Sequence, residues 1–123
     1  MAQEYAAKIA RLLSNYQAIP AGEPIRLAKP TSNLFRARTK SHARLDVSEL
    51  NTVIGIDRQH RTADVEGMCT YEHLVQETLQ YGLSPKVVPQ LKTITLGGAV
   101  TGLGIESSSF RNGAPHELSL IHI

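Results

Sequence analysis

One cysteine, Cys69, is all that the 123-residue chain contains. That excludes an intrachain disulfide and a cysteine-cluster metal site, and it fits a reducing compartment. Long apolar runs are missing too. Nothing approaches membrane-spanning length, and the charged, amphipathic N-terminus has no apolar signal core. The expectation is a soluble, cytoplasmic protein without a membrane span. Charge of one sign is also scarce, since the net value of +2 is too small to imply a nucleic-acid partner. Aromatic residues make up 5% of the chain. What remains is 41% hydrophobic and 20% charged, the profile of a globular chain. Its length allows one domain with a modest core.

Apolar spacing predicts a helix over Ala2–Gln17, with Tyr5, Ile9, Leu12, Leu13 and Tyr16 on one face and Lys8 and Arg11 on others. Two prolines and a glycine in Ile19–Pro24 end it. Pro24–Ala28 is a strand candidate, Lys29–Asn33 a polar turn, and Ala43–Val47 alternates as a second strand. Ser48 is a candidate cap for a helical turn before Asn51. Val53–Asp57 and Ala63–Glu66 flank the polar turn Arg58–Thr62 as a hairpin, which Gly67 closes. Thr70 is the expected N-cap of a helix over Tyr71–Tyr81, with Leu74, Val75 and Leu79 as its stripe and Gly82 at the C-cap. Val87–Val88 is a candidate extended piece. Strands mixed with two helices point to an α+β fold.

The densest chemistry is in Thr95–Gly113, which reads as a ligand-cradling loop. Gly97, Gly98, Gly102 and Gly104 fall within eight residues, followed by Glu106 and the run Ser107-Ser108-Ser109. Glycine serves tight turns and close approach, and exposed amides in such a loop form a concave donor surface for an anion. The spacing is neither a G-x-G-x-x-G fingerprint nor a Walker-type phosphate loop. The glycines alone fit two roles equally, ligand binding and close packing of a helix on a strand. A second feature is the stretch Pro24–Leu45, with six basic residues (Arg26, Lys29, Arg36, Arg38, Lys40, Arg44) and no acid. With Phe35 as its one aromatic, it fits a phosphate site or a solvated basic loop better than a nucleic-acid surface. His42, His60, His73, His116 and His122 have no metal-ligand spacing, so no metal is expected. Neither an activated thiolate at Cys69 nor a Ser-His-Asp constellation can be assembled.

The order Pro89-x-x-x-Thr93-Ile94-Thr95-Leu96-Gly97-Gly98, then Gly102-Leu103-Gly104-Ile105-Glu106-Ser107-Ser108-Ser109 and Gly113, resembles the flavin-binding segment of the PCMH-type (vanillyl-alcohol-oxidase-type) FAD-dependent oxidoreductases. The run Gly104–Ser109 is most similar to the Δ24-sterol reductase branch. Upstream, Arg26–Asn33, Leu45-Asp46-Val47, the hairpin Val53–Gly67 and the helix Tyr71–Tyr81 follow the family's order, so the resemblance spans Pro24–Glu117.

This resemblance implies that Thr95, Leu96, Gly97, Gly98, Ala99, Val100 and Thr101 line FAD, together with Gly102, Leu103, Gly104, Ile105, Glu106 and Ser107. It also implies that Lys29, Thr31, Ser32 and Asn33 face the pyrophosphate. The glycine segment carries no histidine placed for a flavin linkage, so non-covalent FAD is expected. The implied domain plan is a helix and linker over residues 1–23, a partial PCMH-type FAD-binding domain over 24–117, and a non-native or truncated tail over 118–123 (LSLIHI). The implied function is the N-terminal part of an enzyme that reduces a carbon–carbon double bond of a small molecule by hydride transfer through FAD, with NADPH as a candidate electron donor. Catalytic residues are expected beyond residue 117, so the fragment itself is expected to be inactive. Two other readings stand beside it: a flavin oxidase or dehydrogenase of the same superfamily acting on alcohols, sugars or hydroxy acids, and a non-enzymatic anion-binding module.

Overall fold

A computed structural model describes residues 2–28 and 43–102, and the chain divides into two compact units, Met1–Leu50 and Asn51–Ile123. In the first unit, strong helix formers (Ala, Gln, Glu, Lys, Leu, Arg) build α1, Ala2–Gln17. Bonds from Ala18 N–H to Ser14 and from Ile19 N–H to Tyr16 end it just before Pro20. The helix packs against β2. Its most buried side chain is Lys8, whose ammonium lies 3.8 Å from the Glu4 carboxylate, while Tyr5, Leu13 and Tyr16 stay exposed. The predicted apolar face is therefore rotated, because the long aliphatic stem of a lysine covers apolar surface as a leucine does. β1 (Ile25–Ala28) and β2 (Ala43–Asp46) form a parallel pair running from Ile25↔Ala43 to Ala28↔Asp46. Ser48 does not cap the turn that follows. Instead, the Asp46 carboxylate accepts from Ser48 N–H (2.9 Å) and Ser48 Oγ (2.6 Å), which holds its pKa below the usual range.

The second unit begins with the antiparallel hairpin of β3 (Val53–Asp57) and β4 (Thr62–Val65), irregular in register between Val53 and Gly55. At its tip the Asp57 carboxylate accepts from His60 N–H at 3.0 Å and meets His60 Nδ1 at 2.6 Å. Its open end is tied by Glu66, a buried carboxylate that accepts from Thr52 N–H (2.8 Å) and Thr52 Oγ1 (3.0 Å), while Glu66 N–H donates to Thr52 O (3.0 Å).

Helix α2, Tyr71–Leu79, starts at the predicted N-cap, Thr70. Its buried residues are Tyr71, Leu74 and Thr78, not the expected Leu74, Val75 and Leu79; Leu79 is 60% exposed. Thr78 tolerates full burial because its hydroxyl donates to Val75 O at 3.2 Å. Gln80 caps the regular helix, one turn tightens through Tyr81, and Gly82 at φ +69° closes it. Leu83 N–H reaches Thr78 O and Gly82 N–H reaches Leu79 O, the paired bonds of a Schellman motif. Residues 87–88 form no strand; Val87 is simply buried. The largest departure is at the glycine segment. Leu96–Thr101 is a third helix, α3, rather than a loop. The core gathers Val53, Cys69, Tyr71, Leu74, Leu83 and Ala99, with Ile56, Ala63, Val65, Ile94 and Leu96 packed against it.

Two substitutions test these contacts by urea unfolding of the full-length protein. Glu66→Ala removes the buried carboxylate that accepts from the half-buried Thr52 and should cost about 1 to 2 kcal/mol, with Glu66→Gln losing less. Gly82→Ala forces a side chain into a left-handed position and should cost about 1 kcal/mol. Unchanged midpoints would remove either contact from the account.

Candidate functional site

The first four N–H groups of a helix have no partner within it, so each helix start needs acceptors from elsewhere. α2 and α3 find them in one place. Thr70 and Thr95 lie opposite each other in an isolated antiparallel bridge. Tyr71 N–H donates to Ile94 O and Leu96 N–H to Cys69 O, both at 2.9 Å. Each threonine then caps its own helix: Thr70 Oγ1 accepts from His73 N–H at 3.3 Å, and Thr95 Oγ1 accepts from Gly98 N–H at 3.1 Å. Glu72 N–H takes Lys92 O, and the Lys92 ammonium returns to the Glu72 carboxylate at 2.9 Å, which raises the lysine pKa. Leu74 and Ala99 N–H close onto Thr70 O and Thr95 O.

The remaining donor, Gly97 N–H, bonds Gly67 O at 2.8 Å. This contact requires glycine at position 97, because a Cβ there would sit 2.8 Å from the same carbonyl oxygen. Gly67 itself has open space where a Cβ would go. The need for glycine is thus one-sided, and the close-packing role is occupied.

Of the residues expected to line a ligand, Thr95 is the cap, Leu96 packs on the core, Gly97 and Gly98 are bonded as described, and Ala99 is buried. Val100 is half-buried. Thr101 is exposed, its hydroxyl donating to Gly97 O at 2.7 Å, and Gly102 donates to Gly98 O as the C-cap. Leu103, Gly104, Ile105, Glu106 and Ser107 lie outside the described residues, as do Lys29, Thr31, Ser32 and Asn33. Sequence reasoning missed the partnership of Gly67, Cys69 and Thr70 with this segment. The available signal was a threonine before each helix; nothing local announces that the two meet across 25 residues.

Cys69 lies inside the assembly, fully buried. Desolvation, then the Glu66 and Glu77 carboxylates, push its thiol up to about 11, so it stays protonated and inert at neutral pH. Among the described residues no group of three or more His, Cys, Asp or Glu is placed to hold a metal ion. Nor is any helix among them long and apolar enough to cross a membrane.

Comparison with known proteins adds the context. A family model described as FAD binding domain matches residues 9–119. The Delta(24)-sterol reductase of Pisum sativum is 32% identical over 72 residues, which cover 58% of this chain and 13% of that protein. Its counterpart from Arabidopsis thaliana is 34% identical over 68 residues, 55% of this chain and 12% of that protein. Cytokinin dehydrogenase 1 of Arabidopsis thaliana is 38% identical over 50 residues, 41% of this chain and 9% of that protein. The matched stretch is therefore a small part of each of these relatives.

Burial of Cys69 has a measurable pH signature. An unfolded thiol loses its proton from about pH 8.5, whereas the folded one holds it to about 11. Through that window the unfolded state binds fewer protons, so stability falls as pH rises. Burial also raises the Tyr71 phenol, so the fair comparison is with Cys69→Ala, which keeps Tyr71. The difference between the two proteins in urea midpoint should change between pH 8 and 11, and a flat difference would count against a buried, neutral thiol.

Proposed function

The chain belongs to the FAD binding domain family, and from that premise we propose that it is the cofactor-holding part of a flavin-dependent oxidoreductase akin to the sterol reductases. In this reading the whole enzyme holds FAD without a covalent link and saturates a carbon–carbon double bond of a small substrate, with NADPH as a candidate electron donor. The observation that carries the choice of branch is the run Gly104–Ser109 together with two sterol reductases aligned over more than half of the chain. FAD supplies the hydride chemistry; the polypeptide supplies binding, orientation and electrostatics.

The residues proposed to line the cofactor are Thr95–Ser107, and the polar turn Lys29–Asn33 is proposed to face its pyrophosphate. The donor chemistry suits that group. Lys29 offers positive charge, Thr31, Ser32 and Ser107 offer hydroxyls, and Asn33 offers an amide, all able to bond phosphate oxygens. The described part of the glycine segment contributes differently. Its amides from Leu96 to Ala99 are engaged internally, so this part is proposed to support the cofactor as a scaffold.

A second reading has its own observation. The similarity to a cytokinin dehydrogenase favours a flavin dehydrogenase that oxidises its substrate rather than reducing it.

Purified full-length protein separates these readings. It should be yellow, with flavin absorbance that denaturation releases into solution as free FAD. NADPH under anaerobic conditions should bleach the flavin, and a sterol with a side-chain double bond should restore the colour. Bleaching by a cytokinin-type amine instead supports the dehydrogenase reading. A colourless protein that added FAD does not turn yellow overturns both.

A further inference from the structure

Leu96, Gly97, Gly98 and Ala99 donate their amides to Cys69 O, Gly67 O, Thr95 Oγ1 and Thr95 O, and Gly102 donates to Gly98 O. A pyrophosphate brought to this stretch finds none of those five donors free, although glycine-rich helix starts ordinarily bind anions through such amides. What the arrangement does instead is fix a position. Thr95 is tied to Thr70 across the bridge, and Gly97 is pressed against the Gly67 carbonyl at a spacing no side chain permits. Both contacts act on the first turn of a six-residue helix, so they set where the chain leaves it at Gly102.

Resting on the reading of this chain as a flavin-holding domain, we infer that Thr95 and Gly97 act as positioning residues for the cofactor by fixing where α3 begins. Thr95 sets the start of α3 through its hydroxyl. Gly97 sets the distance of α3 from the connection between β4 and α2. A methyl group at 97 meets a backbone oxygen, which cannot swing aside as a flexible side chain can, so the helix start must move by some tenths of an ångström. Binding geometry is sensitive to displacements of that order, because hydrogen bonds to a pyrophosphate weaken steeply with distance and angle.

The test is FAD titration of the full-length protein, read by flavin fluorescence and by the visible circular dichroism of bound flavin. It is run at a temperature where far-ultraviolet dichroism shows each variant folded. Gly97→Ala should weaken FAD binding at least tenfold and alter the visible dichroism. Thr95→Val, which keeps the shape and loses the acceptor, should act in the same direction. Thr95→Ser, which keeps the acceptor, should stay within twofold of the unaltered protein. A merely structural role would lower the melting temperature and leave the affinity and dichroism of the folded variants unchanged, and that result overturns the inference. A loss in Thr95→Ser equal to that in Thr95→Val overturns it as well. If Gly97→Ala does not fold, the visible dichroism of the folded Thr95→Val variant carries the test, and a spectrum identical to that of the unaltered protein overturns the inference. Failure of the unaltered protein to take up FAD is a different result, and it removes the flavin reading itself.

Discussion

The bridge between Thr70 and Thr95 is the constraint on which the second unit depends. Two helices begin there, and each start leaves backbone donors that must find acceptors. An unpaired buried donor costs about 1 to 3 kcal/mol, so even the partly buried donors at these two helix starts need partners. Antiparallel pairing of the residues just before each helix, with one threonine hydroxyl per helix, meets much of that demand. Gly67 and Lys92 carbonyls meet the rest. The arrangement gives a glycine-rich segment helical form despite a penalty of about 1 kcal/mol for a glycine in a helix interior.

The same economy governs the polar groups around it. Glu66, Thr78 and Lys8 are buried, yet among the described residues no buried side-chain nitrogen or oxygen lacks a partner. Glu66 matters most, because it faces Thr52 on one side and raises the Cys69 thiol on the other. A single carboxylate thereby closes the hairpin and helps keep the adjacent sulfur neutral. This explains why the lone cysteine behaves as a small apolar residue of the core.

Much of the local structure was legible from residue patterns. The bounds of α1, the hairpin and its turn, and the Thr70 cap follow from periodicity, turn chemistry and capping preference, all of which act over a few residues. Errors arose where a distant partner decided the outcome. The stripe of α2 is a local exception: Leu79 scores as apolar, but Thr78 is the buried residue, its hydroxyl satisfied by Val75 O one turn back. Lys8 scores as charged, but it is buried on α1, the helix that packs against β2. The glycine segment reads as a loop on propensity, and it becomes helical through bonds to Gly67 and Cys69, some 30 residues earlier. Of the candidate site, the clustered glycines were visible, while the fact that their amides are already engaged was not. Family membership was legible because residue order carries it independently of any contact.

Fastening both ends of the excursion from Tyr71 to Ile94 has a consequence for how this domain tolerates change. With Tyr71 N–H on Ile94 O, the stretch between is a closed loop anchored at its neck. Lengthening such a loop costs little, about 0.6 kcal/mol for each doubling. Residues inserted around the exposed Gln90 and Leu91 would bulge outward and leave the neck in register. The excursion can change in size and surface while the place where α3 begins stays fixed by the neck.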